Sequence, residues 1–236
     1  MMASNHLEKK ISWFDSVATL LRQSLRVDIS YPERLITPLF FAAIVLLLFS
    51  FAIPEPDPTI QPRMVIAQTQ LAIFFALQLT FSRAFESERS DRVFEHLRLA
   101  PIDSSAFTVS KILHVLIIGS LTMICTAVLS IILQGQDLAV ITDPIFVGAS
   151  ILALVGLAGL GVLLAAITLR ADGQAILFPL LYFPLSVPVL LSSTEALATW
   201  MERRVWTDSL RSWSTILIAF DAIYLTLAIL LAPEGE

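Results

Sequence analysis

The chain has 236 residues, of which 56% are hydrophobic and 15% charged, and its mean hydropathy is +0.80. Apolar runs recur at about the 20 residues needed to cross about 30 Å of hydrocarbon, which excludes an ordinary soluble domain. The formal net charge of −5 leaves no basic footprint for nucleic acid, so the lipid bilayer is the expected partner and nucleic acid is not.

The first patterned stretch is Ile11–Val27. Ile11, Phe14, Val17, Leu20, Leu21 and Leu25 share one helical arc, and Asp15, Thr19, Arg22, Gln23 and Arg26 share the opposite one. Such a helix is expected to lie flat in the interface with its basic residues toward headgroups. Packing on other protein is the alternative. Lys9 and Lys10 lead into this amphipathic stretch rather than into a short apolar core, so no cleavable signal peptide is expected. Pro32 then separates the helix from the first apolar run.

Six spans are predicted: Leu35–Ile53, Met64–Phe81, Ala106–Leu133, Ile145–Leu169, Ala175–Leu191 and Trp213–Leu231. Pro54–Pro62, with four prolines in nine residues, reads as a stiff extended connector. The third span is long enough to tilt. The fourth carries Ala149, Ala153, Gly156, Gly159, Gly161 and Ala165, a small-residue surface that lets membrane helices approach closely. The fifth is short and contains Pro179, Pro184 and Pro188. Each proline removes a backbone donor, so this span is expected to be bent or broken. After it, Ser192–Ser212 holds Trp200 and Trp206, with Trp213 following. This segment is expected to form a short helix on the outer surface, its tryptophans in the interfacial belt.

Lysine and arginine set the orientation. With the N-terminus inside, Lys9, Lys10, Arg22, Arg26, Arg34, Arg83, Arg89, Arg92, Arg98, Lys111 and Arg170 lie inside. Arg63, Arg203, Arg204 and Arg211 lie outside. The balance of 11 to 4 places both termini in the cytoplasm.

The segment between the second and third spans differs from every other. Arg83–Arg98 reads RAFESERSDRVFEHLR, with eight charges in sixteen residues, yet it keeps an apolar stripe of Phe85, Val93, Phe94 and Leu97. It must lie outside the hydrocarbon, and a purely solvated turn has no need of the stripe. A short amphipathic helix with spaced apolar anchors fits a groove on a soluble protein. A charged turn that merely sets topology is the bland alternative.

Catalytic constellations are missing. No G-x-x-x-x-G-K-[ST] cradles phosphate and no H-E-x-x-H holds zinc. The lone Cys125 lies in an apolar run, with no cysteine cluster for a metal or a disulfide framework. His114, near the inner end of the third span, is expected to be hydrogen-bonded or interfacial rather than a heme ligand. Gln70 and Gln78, two turns apart, are expected to hold helices together rather than line a polar path. Asp221 is the exception: a carboxylate in the sixth span, either functional or neutral and bonded to a neighbour. The chain is therefore expected not to be an enzyme and to bind no cofactor directly.

Ala84–Lys111 (AFESERSDRVFEHLRLAPIDSSAFTVSK) resembles the heme exporter protein B family, CcmB. That family has an acidic residue soon after the second span, then Asp-Gly, a Leu/Phe-Glu-x-Leu, a proline, and a lysine about ten residues later. Asp91, Phe94-Glu95-His96-Leu97, Pro101 and Lys111 occupy those places. Arg92 stands where the family usually has glycine, so a sharp turn is less favoured there. Phe183–Leu190 (FPLSVPVL) is similar to the family's Pro-Leu-x-x-Pro stretch, and length, six spans and the N-terminal amphipathic helix agree over nearly the whole chain.

The resemblance implies an all-α integral membrane protein like an ABC-2-type permease, with six transmembrane helices after an N-terminal amphipathic interfacial helix. Residues 1–34 would be cytoplasmic or interfacial. Residues 35–231 would form the six-helix domain, with a cytoplasmic coupling loop at 82–105, and residues 232–236 a short tail. It implies a multi-pass protein of the bacterial inner membrane. Its partners would be a CcmA-like cytoplasmic ATPase, CcmC-like and CcmD-like membrane proteins, and the heme chaperone CcmE. ATP would act through the partner ATPase, and heme would be handled by partner subunits. The complex would serve cytochrome c biogenesis by releasing heme-loaded CcmE or exporting heme. Glu86, Asp91, Phe94, Glu95 and Leu97 would contact the ATPase; Asp221, Pro184 and Pro188 are candidate functional residues in the membrane. The rival is an ABC-2-type permease for a lipid, polysaccharide or drug.

Overall fold

A computed structural model describes residues 12–52, 60–84, 104–135, 142–168 and 174–231. They form seven helices: α1 (Trp13–Ser30), α2 (Glu33–Ala52), α3 (Gln61–Ala84), α4 (Ser104–Gln134), α5 (Pro144–Thr168), α6 (Gln174–Arg203) and α7 (Asp208–Leu230). The last six are long and apolar enough to cross a membrane. At about 1.5 Å per residue, even the 20 residues of α2 rise about 30 Å. All six predicted spans are present.

The centre of the bundle is α5. It packs against α3, α4, α6 and α7, and Ala153 through Ala165 are buried in an almost unbroken run. Its small residues permit this. A Cβ on Gly159 would come within 3.3 Å of the backbone nitrogen of Leu225 on α7, and one on Gly161 within 3.0 Å of Phe81 on α3. Between lipid-solvated helices the gain comes from close packing rather than from burial out of water, so small residues mark the tightest contacts. On α7, Leu210, Leu217, Asp221, Tyr224 and Ala228 are buried. This single stripe, at spacings of three, four and seven, faces α5 and α6. On α2, Ala42 and Leu46 meet Ala72 and Ala76 of α3, while Phe40, Leu48 and Phe51 face outward, as lipid allows.

Three expectations are corrected. First, α6 is not broken: it is one helix of 30 residues that contains Pro179, Pro184 and Pro188. Serines on it donate to carbonyls of their own helix: Ser192 to that of Pro188 at 2.6 Å and Ser193 to that of Leu190 at 3.1 Å. Second, no separate surface helix follows it. Residues 192–203 continue α6, and only Arg204–Thr207 separate it from α7. Arg204 turns the chain with φ of 54°, and Thr207 caps α7 by accepting from the Leu210 amide at 3.1 Å. Third, the proline-rich connector ends early, since Gln61 and Pro62 already belong to α3. Proline costs nothing in a first turn, where its missing N–H has no helical partner.

α1 also packs along the N-terminal half of α4, with Ser16, Val17 and Asp28 buried. Phe14 of the predicted apolar arc is 76% exposed, open to lipid as an interfacial helix allows.

Candidate functional site

The five expected ATPase contacts, Glu86, Asp91, Phe94, Glu95 and Leu97, lie outside the described residues. The frame around them is described. α3 ends at Ala84 and α4 begins at Ser104, and the two helices pack together. Both are tethered at that membrane surface. Arg83 Nη1 donates to the Glu33 carbonyl at the start of α2 at 3.2 Å. The Trp13 indole on α1 donates to Ser105 Oγ at 2.9 Å.

Beside this frame is a buried polar cluster. His114 Nε2 on α4 donates to Asp28 Oδ2 on α1 at 2.5 Å, with side chains only 3% and 6% exposed. Arg34 reaches the other oxygen of Asp28 at 3.5 Å and lies over the Tyr31 ring. Lys111 Nζ donates to Ser24 Oγ at 3.4 Å. His114 is thus hydrogen-bonded, as expected. The sequence reading gave no role to Asp28; it stood outside the apolar arc and drew no attention.

In mid-membrane, Asp221 sits on the buried stripe of α7. Its carboxyl fills the notch left by Gly156 of α5, close enough that a Cβ there would overlap Oδ1, and Val189 of α6 closes the third side. Neither carboxyl oxygen has a hydrogen-bond partner among the described residues. One turn further along α7, the Tyr224 hydroxyl donates to the Leu185 carbonyl at 2.6 Å. Pro184 and Pro188 flank that carbonyl on α6. The two prolines and Asp221, singled out separately in the sequence, therefore lie at neighbouring levels of one α6–α7 contact. Gln70 donates to Ser193 at 3.5 Å, the helix-joining role expected of it. Gln78 is buried.

The opposite surface is organised by Asp143, which the sequence reading missed. Asp143 Oδ1 accepts from the Ile145 amide at 2.9 Å and the Phe146 amide at 3.3 Å, so it caps α5 ahead of Pro144. An acidic cap followed by proline is a helix-start signal, and Thr142-Asp143-Pro144 carried it. The same oxygen accepts from the Trp200 indole at 2.9 Å, and Arg204 pairs with the other oxygen. Trp200 is thus a partner of Asp143, while Trp206 is 67% exposed. Nearby, Arg63 of α3 pairs with Glu195 and Glu202 of α6. Burial alone would raise the Asp143 carboxyl, but the Trp200 indole, the two amides and Arg204 outweigh it and leave it below the usual aspartate range. A lowered folded value means that Asp143 stabilises the fold above the unfolded aspartate range, and the contribution is lost as pH falls through the folded value. Asp143→Ala is expected to cost about 1–2 kcal/mol, the upper range for losing a helix cap. Thermal unfolding in detergent at neutral pH measures this. The deficit relative to the native chain is expected to shrink in acid, where the native carboxylate is itself protonated.

Six apolar helices, one of them a buried small-residue helix at the centre, with a docked amphipathic helix at one surface, define an all-α, multi-pass integral membrane protein. Residues 15–234 match the family model described as CcmB protein. The chain is 27% identical over 213 residues to Heme exporter protein B of Pseudomonas aeruginosa, covering 85% of this chain and 92% of that protein. The chain belongs to the CcmB family.

Proposed function

We propose that this chain is the membrane subunit of an ABC-type complex of cytochrome c maturation, and that it transmits ATP-driven motion without being an enzyme itself. The observation that carries this reading is the CcmB family match from residue 15 to residue 234, supported by the similarity to a protein named Heme exporter protein B. A CcmA-like ATPase would grip segment 82–105 in the cytoplasm. Phe94 and Leu97 would enter its groove, and Glu86, Asp91 and Glu95 would pair with basic residues around it. CcmC-like and CcmD-like subunits and the chaperone CcmE would complete the assembly. Heme would be handled by those partners and ATP by the ATPase, in the bacterial inner membrane with both termini cytoplasmic. The packed, tethered pair α3 and α4 would receive the push directly. From there, α5 touches both helices as well as α6 and α7, which gives the motion a packed route across the bilayer.

Deleting the gene tests this reading. Covalent heme in c-type cytochromes is expected to fall to background, with heme retained on the chaperone; restoring the gene restores both. Normal c-type cytochromes in the deletion strain would refute it and favour a permease for another cargo.

A further inference from the structure

We propose that Asp221 is a proton-binding site in the middle of the membrane, a carboxylic acid held neutral between α5, α6 and α7. Asp221 is 5% exposed and lies near the midpoint of α7, with Gly156 and Val189, near the midpoints of α5 and α6, against it. An ionised carboxylate only accepts hydrogen bonds. Away from water it needs a donor or a cation, and a bare one is strongly disfavoured. Among the described residues, none serves either carboxyl oxygen. Gly156 and Val189 bring no side-chain donor and no charge. Tyr224, on its own helix, directs its hydroxyl to Leu185. The Tyr182 hydroxyl of α6 is directed to the Leu157 carbonyl at 3.4 Å. The nearest acid along α6, Glu195, lies nearly two turns toward the surface and is paired with Arg63.

What α6 does present is acceptors. Pro188 has no amide to give the Pro184 carbonyl, and that carbonyl belongs to the same stretch of α6 that meets Asp221 and Tyr224. A freed carbonyl is an acceptor, of no use to a carboxylate. Among the described residues no cationic side chain bonds to either carboxyl oxygen. Losing the proton would require the three helices to move until a donor or water reached the carboxylate. The inference concerns residues remote from segment 82–105, so it does not depend on the ATPase reading.

Carbodiimide chemistry tests it on the full-length chain. The O–H of a neutral carboxylic acid adds across a carbodiimide C=N bond: the proton goes to nitrogen and the carboxyl oxygen bonds to the central carbon. The acyl group then migrates to nitrogen, leaving a stable N-acylurea, with nothing expelled and nothing oxidised. The purified protein in detergent is treated with dicyclohexylcarbodiimide, which partitions into apolar surroundings, or with a water-soluble carbodiimide, and peptides are mapped by mass spectrometry. The expected result is an N-acylurea on Asp221 from the apolar reagent only, absent in Asp221→Asn. Recovery of an unmodified Asp221 peptide after the apolar reagent, together with no carboxylic-acid C=O infrared band that Asp221→Asn removes, would overturn the proposal. So would equal modification by both reagents, because it would put the carboxyl in water.

Discussion

Glu95→Lys is expected to abolish co-purification of the cytoplasmic ATPase while the chain itself remains in the membrane. The substitution replaces an anion with a cation in a segment read as lying against a basic groove. Losing one desolvated, hydrogen-bonded partner costs about 2–5 kcal/mol, and like-charge contact adds to that. At about 1.4 kcal/mol per tenfold in affinity, 3 kcal/mol is already a factor of about 100. Insertion is untouched by the same logic. Position 95 lies between spans, and an added inward lysine only strengthens an existing bias of Lys and Arg toward that side. Leu97→Asp attacks the apolar anchor instead of the charge and is expected to give the same loss. The measurement is the ratio of ATPase to membrane subunit after affinity purification, beside total membrane-inserted protein. A wild-type ratio for both variants would remove this segment as the coupling contact.

The spans were legible because crossing hydrocarbon demands a long apolar run, and nothing else in the chain imitates one. Helix ends were less legible where they leave the lipid. Residues 192–203 (SSTEALATWMER) look like a loop by hydropathy, yet they continue α6. Glu195, Ala196, Leu197 and Met201 are good helix formers, and Glu195 and Glu202 find Arg63 across the interface. Hydropathy registers the membrane boundary, not the end of the helix. The candidate sites show the same divide. Asp221 stood out as a carboxylate in an apolar run, and the prolines stood out by type. What sequence spacing could not give is that Gly156 supplies the notch, since the contact joins distant helices. Asp28 was less visible still. A lone acid in a charged amphipathic helix reads as solvated until the helix is docked beside His114.

That docking makes Asp28→Ala the substitution with the largest expected effect on stability. Asp28 accepts from His114 at 2.5 Å and forms an ion pair with Arg34 at 3.5 Å. The His114 and Asp28 side chains are almost closed to water. Deleting the acid leaves the buried His114 N–H without its acceptor, which costs about 1–3 kcal/mol. Arg34 is partly exposed and can turn to solvent, so the loss is carried mainly by His114. Asp28→Asn keeps an acceptor oxygen and is expected to lose less. Pairing Asp28→Ala with His114→Ala separates the contact from general damage. Residues in direct contact couple by about 0.5–3 kcal/mol, so the double variant is expected to be more stable than the sum of the two single losses. Thermal unfolding in detergent reads the cycle, and proteolysis of α1 reads whether the helix has come away from α4. Strict additivity, with α1 equally protected in all four proteins, would mean that the Asp28–His114 pair does not hold this helix in place.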